Sequence, residues 1–168
     1  GALWSPGSMI DGTAFFASVV EINEVLHDPS PGSDPNGDGI ADTSQDEFVE
    51  IVNNTGAAVD MSAWEIHDAV GLRHLVPAET VIPNGGALVV FGGGSPTGSF
   101  GGAVVQTAST GFLGFNNGGD DVTLFDAALA VVDTMSYDGS IADQSMTHDP
   151  DVTGTTYDAH TTATGSPG

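Results

Sequence analysis

An all-β sandwich is the fold this sequence predicts, on three observations. Val, Ile, Thr and Phe come in short runs divided by Gly, Asn, Asp and Pro. With 24 Gly and 9 Pro, turns are frequent and no element can run far. The runs recur roughly every 8–12 residues, the rhythm of a sandwich of about eight to ten short strands with long loops, and no stretch holds a helical period for long. Periodicity alone leaves a jelly roll open.

Phe15–Asp28 begins as an apolar run and then alternates through Val20, Ile22 and Glu24, a strand over roughly 16–26. Residues 28–45, with Pro29, Pro31 and Pro35, form a long polar loop. DEFVEIV alternates, with Phe48 and Ile51 near the core, and Asn53-Asn54-Thr55-Gly56 turns the chain. A strand follows around Trp64 and Ile66, with Trp64 in the core and a turn near Gly71. RHLVP and ETVIPNGG are short strands, and ALVVFGGG is a buried one. Residues 92–102, rich in Gly, Ser and Pro, are a mobile loop by composition. AVVQTA is a strand and NNGGDD a tight turn. VTLFDAALAVVDTMSY predicts a hairpin turning near Asp126–Ala128, because Val and Thr flank the turn on both sides. A helix over FDAALAVVD is the alternative, since Ala and Leu favour helix. The segment after Ser145 is polar.

The formal net charge is -22, with 23 Asp and Glu against one strong cation, Arg73. Such a chain repels a phosphate backbone and an anionic membrane surface, which argues against nucleic acid as a partner. No apolar stretch approaches a membrane span, so insertion is not expected. Dense carboxylates cost stability by self-repulsion unless cations screen or bind them, although a solvated surface is the expectation for most of them. Cys is absent, which removes disulfides, thiolate zinc sites and Cys nucleophiles. The opening GALWSPGSMIDG has neither the basic start nor the apolar run of a leader, so an exported protein would be represented here by its mature part.

VVEINEV, DEFVEIVNNTGAAVDMSAWEI, VIPNGGALVVF, NNGGDDVTLFDAALAVVDTMSYD and QSMTHDPDVTG, in that order, resemble the lamin tail domain of bacterial and archaeal exported proteins. The likeness runs from about residue 19 to 168, and its specificity lies in the ordered set rather than in any one piece. It implies an immunoglobulin-like β-sandwich. It also implies a mostly non-enzymatic module of the kind that occurs beside nucleases, adhesins and other exported domains.

Domains of this type often finish with His-Thr-Thr and, after a gap, a Ser-Pro-Gly-x-x-x-x-Gly-x-x-Phe motif. Here HTTATGSPG stands at one end of the chain and GALWSPGSMIDGTAF at the other, so the family ending looks split. Residues 1–16 are then an arm, which donation to a neighbouring copy would let complete the motif there, and 17–168 the sandwich domain. One period of a tandem array, an arm that completes a neighbour, and an arm that folds back on its own domain all fit, as does a linker. Trp4, Pro6, Phe15 and Phe16 are the candidate self-assembly residues, because linkers rarely carry large apolar anchors. An arm lent to the next copy makes a head-to-tail contact, which grows into filaments when it does not close.

Asp34, Asn36, Asp38, Gly39 and Asp42 fit positions 1, 3, 5, 6 and 9 of an EF-hand-type calcium loop. Calcium takes six to eight hard oxygens, and alternate residues in a tight turn point theirs inward. Ile40 would offer its carbonyl at position 7. Position 12 is Gln45 where a bidentate Glu belongs, so Asp46, Glu47 or Glu24 would have to substitute. A plain acidic loop of Asx turns is the alternative. Asp149, Asp151 and Asp158 form a second, weaker cation candidate, and Asp120-Asp121 reads as turn chemistry.

Catalysis has little support. No His-x-His or His-Glu-x-x-His unites His27, His67, His74, His148 and His160. His67-Asp68 with Ser62 or Ser95 lacks a Gly-x-Ser-x-Gly elbow, and FGGGSPTGS lacks the Lys of a phosphate loop. Arg73 is expected to pair with a nearby Asp or Glu. The sequence therefore predicts a non-catalytic structural subunit or repeat of an extracellular filament or surface assembly, stabilised by calcium and joined head to tail to other copies. The alternative is an accessory module that places a larger exported protein on a glycan or a surface.

Overall fold

The computed structural model describes residues 19–139, 142–149, 154 and 156–160. The proposed arm, with Trp4, Pro6, Phe15 and Phe16, lies outside them, as does Asp151. The strands are β1 (Val20–Leu26), β2 (Phe48–Asn53), β3 (Val59–Asp60), β4 (Glu65–His67), β5 (Leu72–Leu75), β6 (Val81–Ile82), β7 (Ala87–Phe91), β8 (Val104–Thr107), β9 (Asp120–Phe125), β10 (Val131–Tyr137), β11 (Met146–Asp149) and β12 (Thr156–Ala159). A single 3-10 turn, Phe100–Gly102, interrupts them among the described residues. None of the described residues forms a helix long and apolar enough to cross a membrane.

Two sheets make the sandwich, one in the order β12-β11-β1-β2-β7-β8 and the other β10-β9-β4-β5, with a small β3-β6 ribbon beside them. The main core lies between the sheets. Ile22, Val25, Ile51, Leu88 and Val90 come from the larger sheet and Ile66, Val122, Leu124 and Met135 from the smaller. Alternation along each strand supplies these side chains from one face. Burying a residue of this kind contributes roughly 1.5–3 kcal/mol.

The central strand β2 departs from simple alternation, since all six of its residues are buried. Val49 and Ile51 face the main core, while Phe48 belongs to a second cluster with Leu26, Val89 and Phe91 on the outward face. Phe48 and Ile51 are thus both core residues, as expected, but of different cores. Phe100, Ala103 and Val105 cover the second cluster. The cause is topological. β8 runs parallel to β7, and parallel neighbours need a crossover, which residues 92–103 make over the outer face. The segment expected to be mobile is therefore a cover. It is pinned further where Thr97 N–H donates to Asn36 O at 2.8 Å and Gly93 N–H to Gln45 O at 3.1 Å.

The hairpin prevails over the helix at 122–137: β9 pairs with β10, and Asp126 Oδ1 accepts from Ala128 and Ala130 N–H across the turn. Trp64 is half-buried against the core rather than inside it. The polar tail hides two strands, β11 and β12, whose Met146 and Tyr157 pack on the core while their remaining residues, Ala159 apart, are polar. With the two-residue strands β3 and β6, these carry the described count to twelve.

Candidate functional site

The acidic loop is a lattice of carboxylates holding backbone amides. Asp34 Oδ2 accepts from Gly39 N–H at 2.9 Å, Asn36 Oδ1 from Asp38 at 2.9 Å, and Asp38 Oδ1 from Ile40 at 2.9 Å. Asp38 Oδ2 takes Ser95 N–H from the crossover loop. Asp46, fully buried, binds Asn36 N–H at 3.2 Å and Asp42 N–H at 2.7 Å. Asp42 caps the turn by accepting from Ser44 and Gln45. Gly37 has φ +68, and a Cβ there would lie 2.3 Å from Thr97 O, so only glycine lets the two loops approach this closely.

The electrostatics of the loop are uneven. The amides of Ser44 and Gln45 hold the Asp42 carboxyl below its ordinary range. Asp46 is pushed up: burial is the main cause, the charges of Asp34 and Asp38 add to it, and the amides of Asp42 and Asn36 only partly offset it. One enclosed oxygen, Asp34 Oδ1, makes no hydrogen bond. The loop thus gathers Asp34, Asn36, Asp38 and Asp46. Glu24 and Glu47 do not join them. Glu24 sits on β1 opposite Glu50, with Ser145 Oγ donating to its carboxylate. Glu47 turns into the interior beside β2. Ile40 keeps its side chain in solvent, 64% exposed. Among the described residues, no three His, Asp or Glu side chains stand close enough to hold a metal ion in common.

Glu47 belongs to a second polar group that sequence patterning did not reveal. Its carboxyl accepts Gly114 N–H at 2.7 Å, with the Phe115 amide beside it. Burial drives its pKa to about 8, against the pull of those amides and of Arg73. Arg73 pairs with Asp68 of the β4–β5 turn and lies over the Phe112 ring, 4.8 Å from its centre. Asp68 loses solvation by burial, but the guanidinium and the Gly71 and Val70 amides hold it below the ordinary carboxylate range. Tyr137 is buried with no hydrogen bond on its hydroxyl, stacks on His27 at 4.0 Å, and is pushed up by burial and by Asp120, Glu47 and Asp68. Asp120 accepts from Asn116, Ala69 and Asp121 N–H, the turn role expected of it. A recess of about 390 Å³ opens between Arg73, Phe115, Asn117 and Asp120. No sequence signal marks it, because its members come from loops far apart in the chain.

The imagined triad does not assemble. His67 bonds Glu65 at 2.7 Å and rests on Phe125, Asp68 is taken by Arg73, and Ser62 Oγ bonds Asp60. A further recess, of about 250 Å³, lies on the outward face of the larger sheet, between β2, β7 and the Phe100–Gly102 turn.

Two packed sheets, antiparallel except where the crossover brings β8 parallel to β7, and loops spent on capping define an immunoglobulin-like β-sandwich module. The model of the Lamin Tail Domain matches residues 15–139, and the chain belongs to that family, a family of non-enzymatic domains of this fold. No curated protein matches the chain.

Proposed function

We propose that this chain is a non-catalytic structural module of an extracellular surface assembly, joined head to tail to further copies through residues 1–16 and firmed by calcium in the 34–46 loop. The observation that carries the reading is where the reactive groups go. The described carboxylates of the acidic loop, of Asp68 and of Asp120 are committed to backbone amides or to Arg73, which is the work of a scaffold. Calcium is supported by the spacing of Asp34, Asn36 and Asp38, by the unpartnered Asp34 Oδ1, and by Asp46, which burial and, to a lesser degree, the charges of Asp34 and Asp38 push up. The ion would take Asp34 and Asp38 as anionic ligands and Asn36 Oδ1 and the Ile40 carbonyl as neutral ones, with Asp46 turning from its amides to complete the set. Glu24 and Glu47 have no part in it.

The test is light scattering with negative-stain imaging of the purified chain, first in calcium and then in excess chelator. Particles that lengthen in calcium and shorten in chelator are the expected outcome. A compact monomer in both conditions at high concentration would defeat the reading.

A further inference from the structure

We infer that the 250 Å³ recess on the outward face of the larger sheet is the receptor for residues 1–16 of the next copy, with the Trp4 indole seated in it. This rests on the head-to-tail reading above and names the surface that reading needs.

Three observations converge on it. The first is shape: Val52, Ala87, Phe100 and Ala103 give the recess apolar walls, and its volume suits one large side chain rather than a separate ligand. The indole N–H can only donate, and a buried one needs an acceptor. Glu50 and Asn54 line the polar end of the recess and carry such oxygens. The second is reach. The chain enters the fold beside this same recess, where Asn54 N–H donates to Val19 O at 2.9 Å. Sixteen extended residues span about 50 Å, while a domain of this size is about 40 Å across. The arm can therefore leave one recess, cross a whole copy and reach the next. Pro6 favours that extended path by fixing its own φ and disfavouring helix at Ser5.

Charge is the third. In a chain of net charge -22, residues 1–16 hold just one acidic residue, Asp11, beside Leu3, Trp4, Met9, Ile10, Phe15 and Phe16. Copies repel one another over most of their surface, and this segment, poorer in acid than the chain as a whole, is repelled less than most of it.

The absence of Cys makes the test clean. Ser5→Cys chains are mixed with Ala103→Cys chains and oxidised, beside a control mixture of Ser5→Cys with Ala127→Cys on the distant β9–β10 turn. A covalent dimer in the first mixture, at least tenfold over the control, is expected, and Trp4→Ala in the Ser5→Cys chain should remove it. Particles that still lengthen in calcium without any capture at Ala103→Cys would overturn the docking site and leave the head-to-tail reading standing. A double variant, Ser5→Cys with Ala103→Cys, that closes only within single chains would overturn the exchange and the head-to-tail reading together.

Discussion

Replacing Glu47 by Gln tests the buried polar group directly. In the folded protein Glu47 has a pKa of about 8, against 4.5 as its ordinary value, because burial opposes its charge more than the Gly114 and Phe115 amides favour it. The native state therefore holds a proton that the unfolded state has released. Stability contributed this way is complete below pH 4.5 and is lost as pH rises to about 8. At roughly 1.4 kcal/mol per pH unit, the full loss is about 5 kcal/mol. Glu47→Gln keeps an oxygen for Gly114 N–H and cannot ionise. Around pH 5 the two proteins should differ by about 1 kcal/mol or less, and the gap should open in favour of the variant by about 3.5 kcal/mol between pH 5 and 8. With a urea dependence near 2 kcal/mol per M, that is a midpoint difference of about 1.7 M. Urea titrations of both proteins at four pH values make the assay. General charge repulsion also grows with pH, but it grows almost equally in both, so the difference isolates Glu47. Parallel pH profiles would refute the reasoning.

Three further outcomes follow from the same geometry. Gly37→Ala places a Cβ 2.3 Å from Thr97 O at a positive φ, and should lower unfolding free energy by about 2–3 kcal/mol in urea. Calcium bound as proposed would stabilise the parent by about 2.7 kcal/mol at a hundredfold excess over its dissociation constant, and Asp34→Ala should abolish that thermal shift; an undiminished rise would place the ion elsewhere. His74 accepts Ser109 N–H on Nδ1 and so donates from Nε2 to Gln106 at 2.8 Å, and burial holds its pKa below 6.5. Its native form binds fewer protons than the unfolded one, so this part of stability is present above pH 6.5 and lost as pH falls; an NMR titration charging the ring at or above 6.5 would contradict it.

What the sequence showed and hid follows from the range of each signal. Turn chemistry is local, so Asp126 announced its hairpin and Asn53–Gly56 its turn out of β2, which Asn53 caps by taking Thr55 N–H. Alternation reports one buried face, so it suits β9 but misread β2, whose second face, like that of β7, is buried by a crossover from about 50 residues later in the chain. That crossover is a topological fact with no periodic trace. The tail strands were hidden for the opposite reason: β11 and β12 pair at the edge of the larger sheet, where Thr, Asp and His suffice beside a single Met and Tyr. At the acidic loop, spacing singled out Asp34, Asn36, Asp38 and Asp42, while Asp46, Glu47 and Glu24 were offered only as substitutes for the missing Glu at position 12. A carboxylate adjacent to a strand follows the strand's pleat, and the pleat turned Glu24 and Glu47 away.

A chain with one Arg and no Lys still neutralises many of its carboxylates, and it does so with backbone N–H groups. Asp42 is held down by the Ser44 and Gln45 amides, and Asp60 by the Ser62 hydroxyl and amide. Each such loop uses up donors that a β-domain with long connections would otherwise leave to water. Amides carry only partial charge, so the device works for one carboxylate at a time. It fails where carboxylates stack, and the failure is visible at Asp46, whose two amide donors do not outweigh burial and the charges of Asp34 and Asp38. The proposed calcium would relieve repulsion there more than elsewhere in the described residues. That place braces the crossover loop through Asp38 and Ser95, and the crossover loop carries Phe100, a wall of the recess proposed to receive the next copy. Calcium and assembly would then be coupled through that short mechanical link, so a chain that binds calcium should also hold its neighbour more tightly.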